Sequence, residues 1–142
     1  MNSLLPLAVS SVFVLLALWH VRMAFGSMSG ESGTVPTVGG KPLFMPSRKS
    51  TLGVAVVLLL FAVLVAATAG ALQLGVPRRV LSWLSYALAL GLLARAIGEF
   101  KYVGFFKRVR GSRFARYDTL VYSPLCLLLA AGVAAVASGN GI

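Results

Sequence analysis

The stretch TLGVAVVLLLFAVLVAATAGALQL, Thr51 to Leu74, holds no charged residue. Crossing the hydrocarbon core of a bilayer takes about 20 apolar residues of helix, and this run is long enough. Three further runs are of the same kind, at about 4–25, 77–98 and 119–137. Four spans make the chain an all-α integral membrane protein, an antiparallel up-and-down four-helix bundle. Residues 1–142 read as a single membrane domain, with no room for a second. Composition agrees, since 58% of residues are hydrophobic and only 11% are charged. A soluble domain carries about 25% charged residues.

The bases set the orientation. The loops at 26–50 and 99–118 lie on one side and hold nine of them: Lys41, Arg48, Lys49, Lys101, Lys107, Arg108, Arg110, Arg113 and Arg116. The opposite side holds Arg78 and Arg79. Lys and Arg gather on the cytoplasmic side of membrane proteins. Both loops are therefore expected in the cytoplasm and both termini on the non-cytoplasmic side, in a bacterial cytoplasmic (inner) membrane. The net charge of +10 does not point to nucleic acid, because the bases flank apolar spans. It suits anionic lipid headgroups.

The first run is expected to stay as a span, with Pro6 in its first turn. It lacks the basic start of a signal peptide and runs without a small-x-small cleavage site into Trp19-His20-Val21-Arg22. In the 26–50 loop, Gly39-Gly40 between Thr37-Val38 and Lys41 fits either a tight hairpin turn or a flexible linker. Ser50 or Thr51 is the expected N-cap of the second span. Small residues recur every four positions at Ala62, Ala66 and Gly70, and again at Ala130, Ala134 and Ser138. Such strips let helices approach closely in lipid. The short turn Gly75-Val76-Pro77 makes spans two and three antiparallel neighbours. Segment 99–118 alternates bases with Phe100, Tyr102, Val103, Phe105, Phe106 and Val109. It is expected to prolong span three or to lie along the interface as an amphipathic helix.

Ionisable groups inside a membrane are expensive, and they mark sites. His20, Arg95, Glu99 and Asp118, with Tyr122 one turn further, all fall at the same end of the bundle. They form the expected polar cluster. Arg95 and Glu99 are four residues apart and share a helix face. Ala87 and Gly91 lie on that face too, so it is expected to be narrow and turned toward protein. The Arg95–Glu99 pair reads either as a clamp fixing span three or as a ligand or proton site. Asp118 precedes an apolar run and reads as the N-cap of span four, still free to bridge to Arg95 or Arg22. His20, the sole histidine, lacks ligand spacing with the carboxylates, and a haem between two histidines is excluded. No metal and no cofactor is expected. Cys126, the sole cysteine, reads as a small buried hydrophobe. Nucleophile elbows, phosphate loops and dinucleotide fingerprints are absent, and Gly98 and Gly104 read as close-packing or bending points.

Arg95-Ala96-Ile97-Gly98-Glu99-Phe100, Gly104-Phe105-Phe106-Lys107, Phe114-Ala115-Arg116-Tyr117-Asp118 and Tyr122-Ser123-Pro124-Leu125 together resemble a bacterial family of small four-span membrane proteins of unknown function. Its pattern runs R-x-x-G-[DE]-F, G-F-F-[KR], F-x-x-[WY]-D and Y-S-P-[LF]. The resemblance implies the same four-helix fold and brings no activity with it. The expected function is a non-enzymatic binding or interaction module, in which Arg95 anchors an anionic group of a small amphiphile or a membrane protein partner. A proton-coupled small transporter acting as a homo-oligomer is the alternative, with an enzyme on a lipid-soluble substrate as a third reading.

Overall fold

The computed structural model describes residues 4–25, 37–38, 41–42, 47–98, 104, 106–107 and 113–139. Helix α1 spans Leu4–Phe25. Strands β1 (Thr37–Val38) and β2 (Lys41–Pro42) pair antiparallel, with Val38 opposite Lys41, which is the hairpin register and not a linker's. Then come α2 (Arg48–Thr68), α3 (Arg78–Ile97), α4 (Arg113–Tyr117), a π-helical turn over Asp118–Tyr122, and α5 (Ser123–Ala137).

Caps explain where these boundaries depart from hydropathy. Helix α2 begins before Thr51 because Ser47 Oγ accepts the Ser50 N–H at 3.0 Å. Ser47 is therefore the cap. Ser50 and Thr51 lie inside the first turn, each donating its hydroxyl to the Ser47 carbonyl at 3.0 Å. Helix α2 also stops short of Leu74. Gly70 has φ +86, its N–H bonds the Ala67 carbonyl at 3.0 Å, and the Ala71 N–H bonds the Ala66 carbonyl at 2.9 Å. This pair of bonds is the Schellman stop, which favours glycine at the left-handed position. Gly70 thus ends the helix and does not extend its strip of small residues.

The start of the last helix also differs from expectation. Asp118 does not cap it: α4 already runs from Arg113, and Asp118 has entered the helix. A π bond from the Ser123 N–H to the Asp118 carbonyl follows. Pro124, next in sequence, has no N–H to donate, and a π-turn is a recognised way to absorb such a break.

Helices α1 and α2 pack together most extensively, as do α3 and α5. Helices α2 and α3 are neighbours, as their short turn requires, through a smaller contact in which Thr68 Oγ1 and Ser85 Oγ meet at 2.8 Å. The core joins all four spans: Val9 and Phe13, Ala62 and Val65, Leu88 and Ala89, and Leu129 and Val133. Two arginines bind consecutive helices end to start. Arg48 Nε donates to the Ala24 carbonyl of α1 at 3.0 Å, and Arg78 Nη1 donates to the Thr68 carbonyl of α2 at 2.7 Å. Both satisfy carbonyls that a helix end leaves open.

Around this core the outward faces are aliphatic. Leu15, Leu60, Leu90 and Leu128, one from each span, are 64%, 60%, 68% and 70% exposed. Leu4–Phe25, Arg48–Thr68, Arg78–Ile97 and Ala115–Ala137 are each long and apolar enough to cross a membrane. The fold is therefore that of a multi-pass membrane protein. One face differs from expectation: Ala87 and Gly91 are exposed, and nothing lies within 4 Å of a Cβ placed on Gly91. Ala87 and Gly91 face outward because Leu81, Ser85, Leu88 and Ala89 fill the inner face.

A close helix approach lies elsewhere, at Gly132 of α5. A Cβ there would stand 2.8 Å from Val9 Cγ2 of α1. Gly132→Ala is therefore expected to destabilise by about 1–3 kcal/mol through overpacking. Val9→Ala in the same chain should return most of that loss, because the two positions share one contact. Thermal unfolding in detergent, run as a double-mutant cycle, measures both. Additive losses would show that the two helices do not meet there.

Candidate functional site

Helix α3 carries Arg95 in its last turn and stops at Gly98, whose φ of +87 leaves the helical region. The chain comes back against this end at Gly104. A Cβ on Gly104 would collide with the Ile97 carbonyl and the Gly98 backbone, and its φ is +92. Only glycine fits so close a return in that conformation. Lys107 follows, and its Nζ donates back to the Gly104 carbonyl at 2.9 Å.

This return builds the walls around Asp118, which is wholly buried. Arg95 Nη2 donates to Oδ1 at 2.8 Å. Lys107 Nζ donates to Oδ2 at 3.0 Å, and the Gly104 N–H donates to the same oxygen at 2.6 Å. Lys107 also donates to Thr119 Oγ1. A buried carboxylate needs this many donors, because an unpaired charge away from water costs several kcal/mol. The Lys107 side chain is 0% exposed and that of Arg95 is 33% exposed. Two cations thus share one carboxylate.

Two polar atoms beside it are unspent. Arg95 Nη1 and Ser123 Oγ are both buried and neither has a hydrogen-bond partner. Ser123 follows Asp118 by one π-turn on the same helix. Tyr122 and Cys126 lie within electrostatic reach of Arg95 and Asp118, and the Tyr122 ring meets that of Tyr117 edge-on at 6.3 Å between centroids.

Of the expected cluster, Arg95 and Asp118 are joined directly, and Tyr122 ends the π-helical turn that Asp118 begins. His20 bonds within its own helix: Nδ1 donates to the Leu16 carbonyl at 2.7 Å. A carbonyl only accepts, so Nδ1 carries the proton and His20 is not bonded to the Arg95–Asp118 pair. Glu99 lies outside the described residues, and with it the Arg95–Glu99 pair. Among the described residues no three His, Cys, Asp or Glu side chains are grouped to hold a metal. Lys107 and Ser123 stand outside the expected cluster, while Gly104 is the close-packing point that its sequence position implies. Lys107 was read as one of a run of interfacial bases, yet it turns inward. The G-F-F-[KR] pattern, with its glycine and its base, was the available signal. Chemically, the arrangement leaves donors open beside a carboxylate that already accepts three bonds, which suits an oxygen acceptor from outside.

A family model described as "Protein of unknown function (DUF3995)" matches residues 13–133. It agrees with the resemblance to a four-span family of unknown function. No curated protein and no solved structure matches the chain.

Proposed function

The chain belongs to the DUF3995 family, and from that premise we propose that it is a membrane binding module that takes the anionic end of a small amphiphile at the Arg95–Asp118 cluster. The observation that carries this reading is Arg95 itself. It spends Nη2 on Asp118 and keeps a buried, unpartnered Nη1 on a side chain that is one-third exposed. An arginine presents several donors in a fixed fork, so it can hold a structural carboxylate and an incoming anion at once. Asp118 orients the guanidinium, and Lys107 and Gly104 hold Asp118.

The nine-against-two distribution of bases supports a bacterial cytoplasmic membrane with both termini outside. The cluster then lies at the cytoplasmic end of the bundle. Native mass spectrometry in lipid nanodiscs tests the reading. Wild type is expected to retain a discrete co-purified molecule that Arg95→Gln, folded by its melting profile, loses. Bulk lipid alone in both proteins would make the cluster a clamp between α3 and the last helix.

A further inference from the structure

We infer that the strip formed by Trp19, Arg22, Phe25 and Arg48 binds the headgroup of an anionic phospholipid; it stands apart from the Arg95–Asp118 cluster and does not rest on it. Trp19, Arg22 and Phe25 follow one another three residues apart along the end of α1, which makes them neighbours on the helix surface. Arg22 lies over the Trp19 ring, with Cζ 6.0 Å from its centroid. Arg48, the first residue of α2, lies over the Phe25 ring at 5.0 Å. Its Nε is spent on the Ala24 carbonyl, which ties this second guanidinium to the end of α1. A ring beneath a guanidinium takes one of its faces and leaves the N–H edge, whose fork matches phosphate oxygens. Arg22, Arg48 and the adjacent Lys49 are all exposed. Among the described residues no carboxylate pairs with any of them, since the described ion pairs are both on Asp118.

The surface one turn deeper identifies the kind of anion. Leu15 and Leu18 lie four residues before Trp19 and Arg22, and both are exposed. The strip is therefore continuous with an aliphatic face, and a phospholipid matches both parts, a phosphate for the guanidiniums and an acyl chain for the leucines. A free phosphate matches only the first. Exposed aromatic rings at the level of the bases also suit the membrane interface, where amphipathic rings sit among headgroups. Bases near the surface attract anionic lipid, whereas a zwitterionic headgroup brings a cation of its own to meet them.

Tryptophan fluorescence of the full-length chain tests this. The chain has two tryptophans, and Trp83 is exposed on α3, so Trp83→Phe leaves Trp19 as the reporter. In phosphatidylcholine vesicles, Trp19 is expected to be quenched more by brominated phosphatidylglycerol than by brominated phosphatidylcholine at equal mole fraction. Arg22→Gln should reduce that preference about fivefold, the effect of one base near an anionic surface. It breaks no backbone bond, so the fold is kept. Arg48→Gln also gives up the Ala24 carbonyl; it should reduce the preference too, and its melting profile separates that from loss of fold. Trp19→Phe leaves Trp83 to report on the opposite end of the bundle, where the preference should be smaller. Equal quenching of Trp19 by the two lipids overturns the inference and favours an acidic protein as the partner of the strip. A preference that survives Arg22→Gln, or that is as strong at Trp83, is general attraction to the surface and overturns it as well.

Discussion

Asp118→Asn is expected to destabilise the protein by about 3–5 kcal/mol, the range for removing one partner of a buried ion pair. The reason is Lys107 more than Arg95. The Arg95 side chain, 33% exposed, can turn its charge toward water or headgroups. The Lys107 side chain is 0% exposed; besides the carboxylate, the Gly104 carbonyl and Thr119 Oγ1 receive its ammonium. Neither is charged. An asparagine keeps the shape and takes the Asp118 charge away from that ammonium. The control is the double variant Asp118→Asn, Lys107→Met, which buries neither charge and should recover most of the loss. Denaturant titration in detergent measures both. A single variant as stable as wild type would mean that Lys107 already reaches water.

Gly104→Ala should come close to the same size by a different route. Its φ of +92 would cost a residue with a Cβ about 1–3 kcal/mol in backbone strain. The collision with the Ile97 carbonyl and the Gly98 backbone adds to that, because backbone atoms cannot swing aside. Displacing the loop would also pull the Gly104 N–H from Asp118, where it sits at 2.6 Å. Gly75 provides the comparison. It has φ +72 and nothing within 4 Å of a Cβ, so Gly75→Ala carries the strain alone and should lose about 1 kcal/mol. Melting temperatures of the two variants in the same detergent separate strain from collision. Equal losses would place no backbone against Gly104.

Much of this architecture is legible in the sequence, for one physical reason. A span must be long and apolar, and both properties can be read without knowing any contact. Leu4–Phe25 and the start of α3 after Pro77 stand where hydropathy puts them. Hydropathy is blind to hydrogen bonds, and the departures occur where bonds decide. The residues after Gly70 are as apolar as those before it, yet the left-handed glycine closes α2. Asp118 stands before an apolar run as a cap would, but its oxygens are taken by Arg95, Lys107 and the Gly104 N–H. The exposed face of Ala87 and Gly91 shows the same limit. A four-residue repeat of small side chains identifies one helix face without saying which way it points.

The candidate site was half legible. Arg95 and Asp118 stand out because a charge in an apolar run always needs a partner. Lys107 did not, because six bases crowd segment 99–118 and periodicity treats them alike. What singles out Lys107 is the backbone return at Gly104, a tertiary fact. His20 was grouped with the cluster by depth alone. Sharing one end of the bundle does not bring it into bonding with Arg95 and Asp118, and its Nδ1 is spent on its own helix.

The arginine links between successive helices bear on the order of synthesis. Arg48 completes the end of α1, and Arg78 completes the end of α2. In both cases the closing group is encoded downstream of the helix it closes. A chain emerging from its amino end therefore completes each of its first two spans with a last-turn carbonyl still unanswered, and the first residue of the following span answers it. Insertion of one segment and completion of the one before it become the same event, like a zip whose slider is carried by the next tooth.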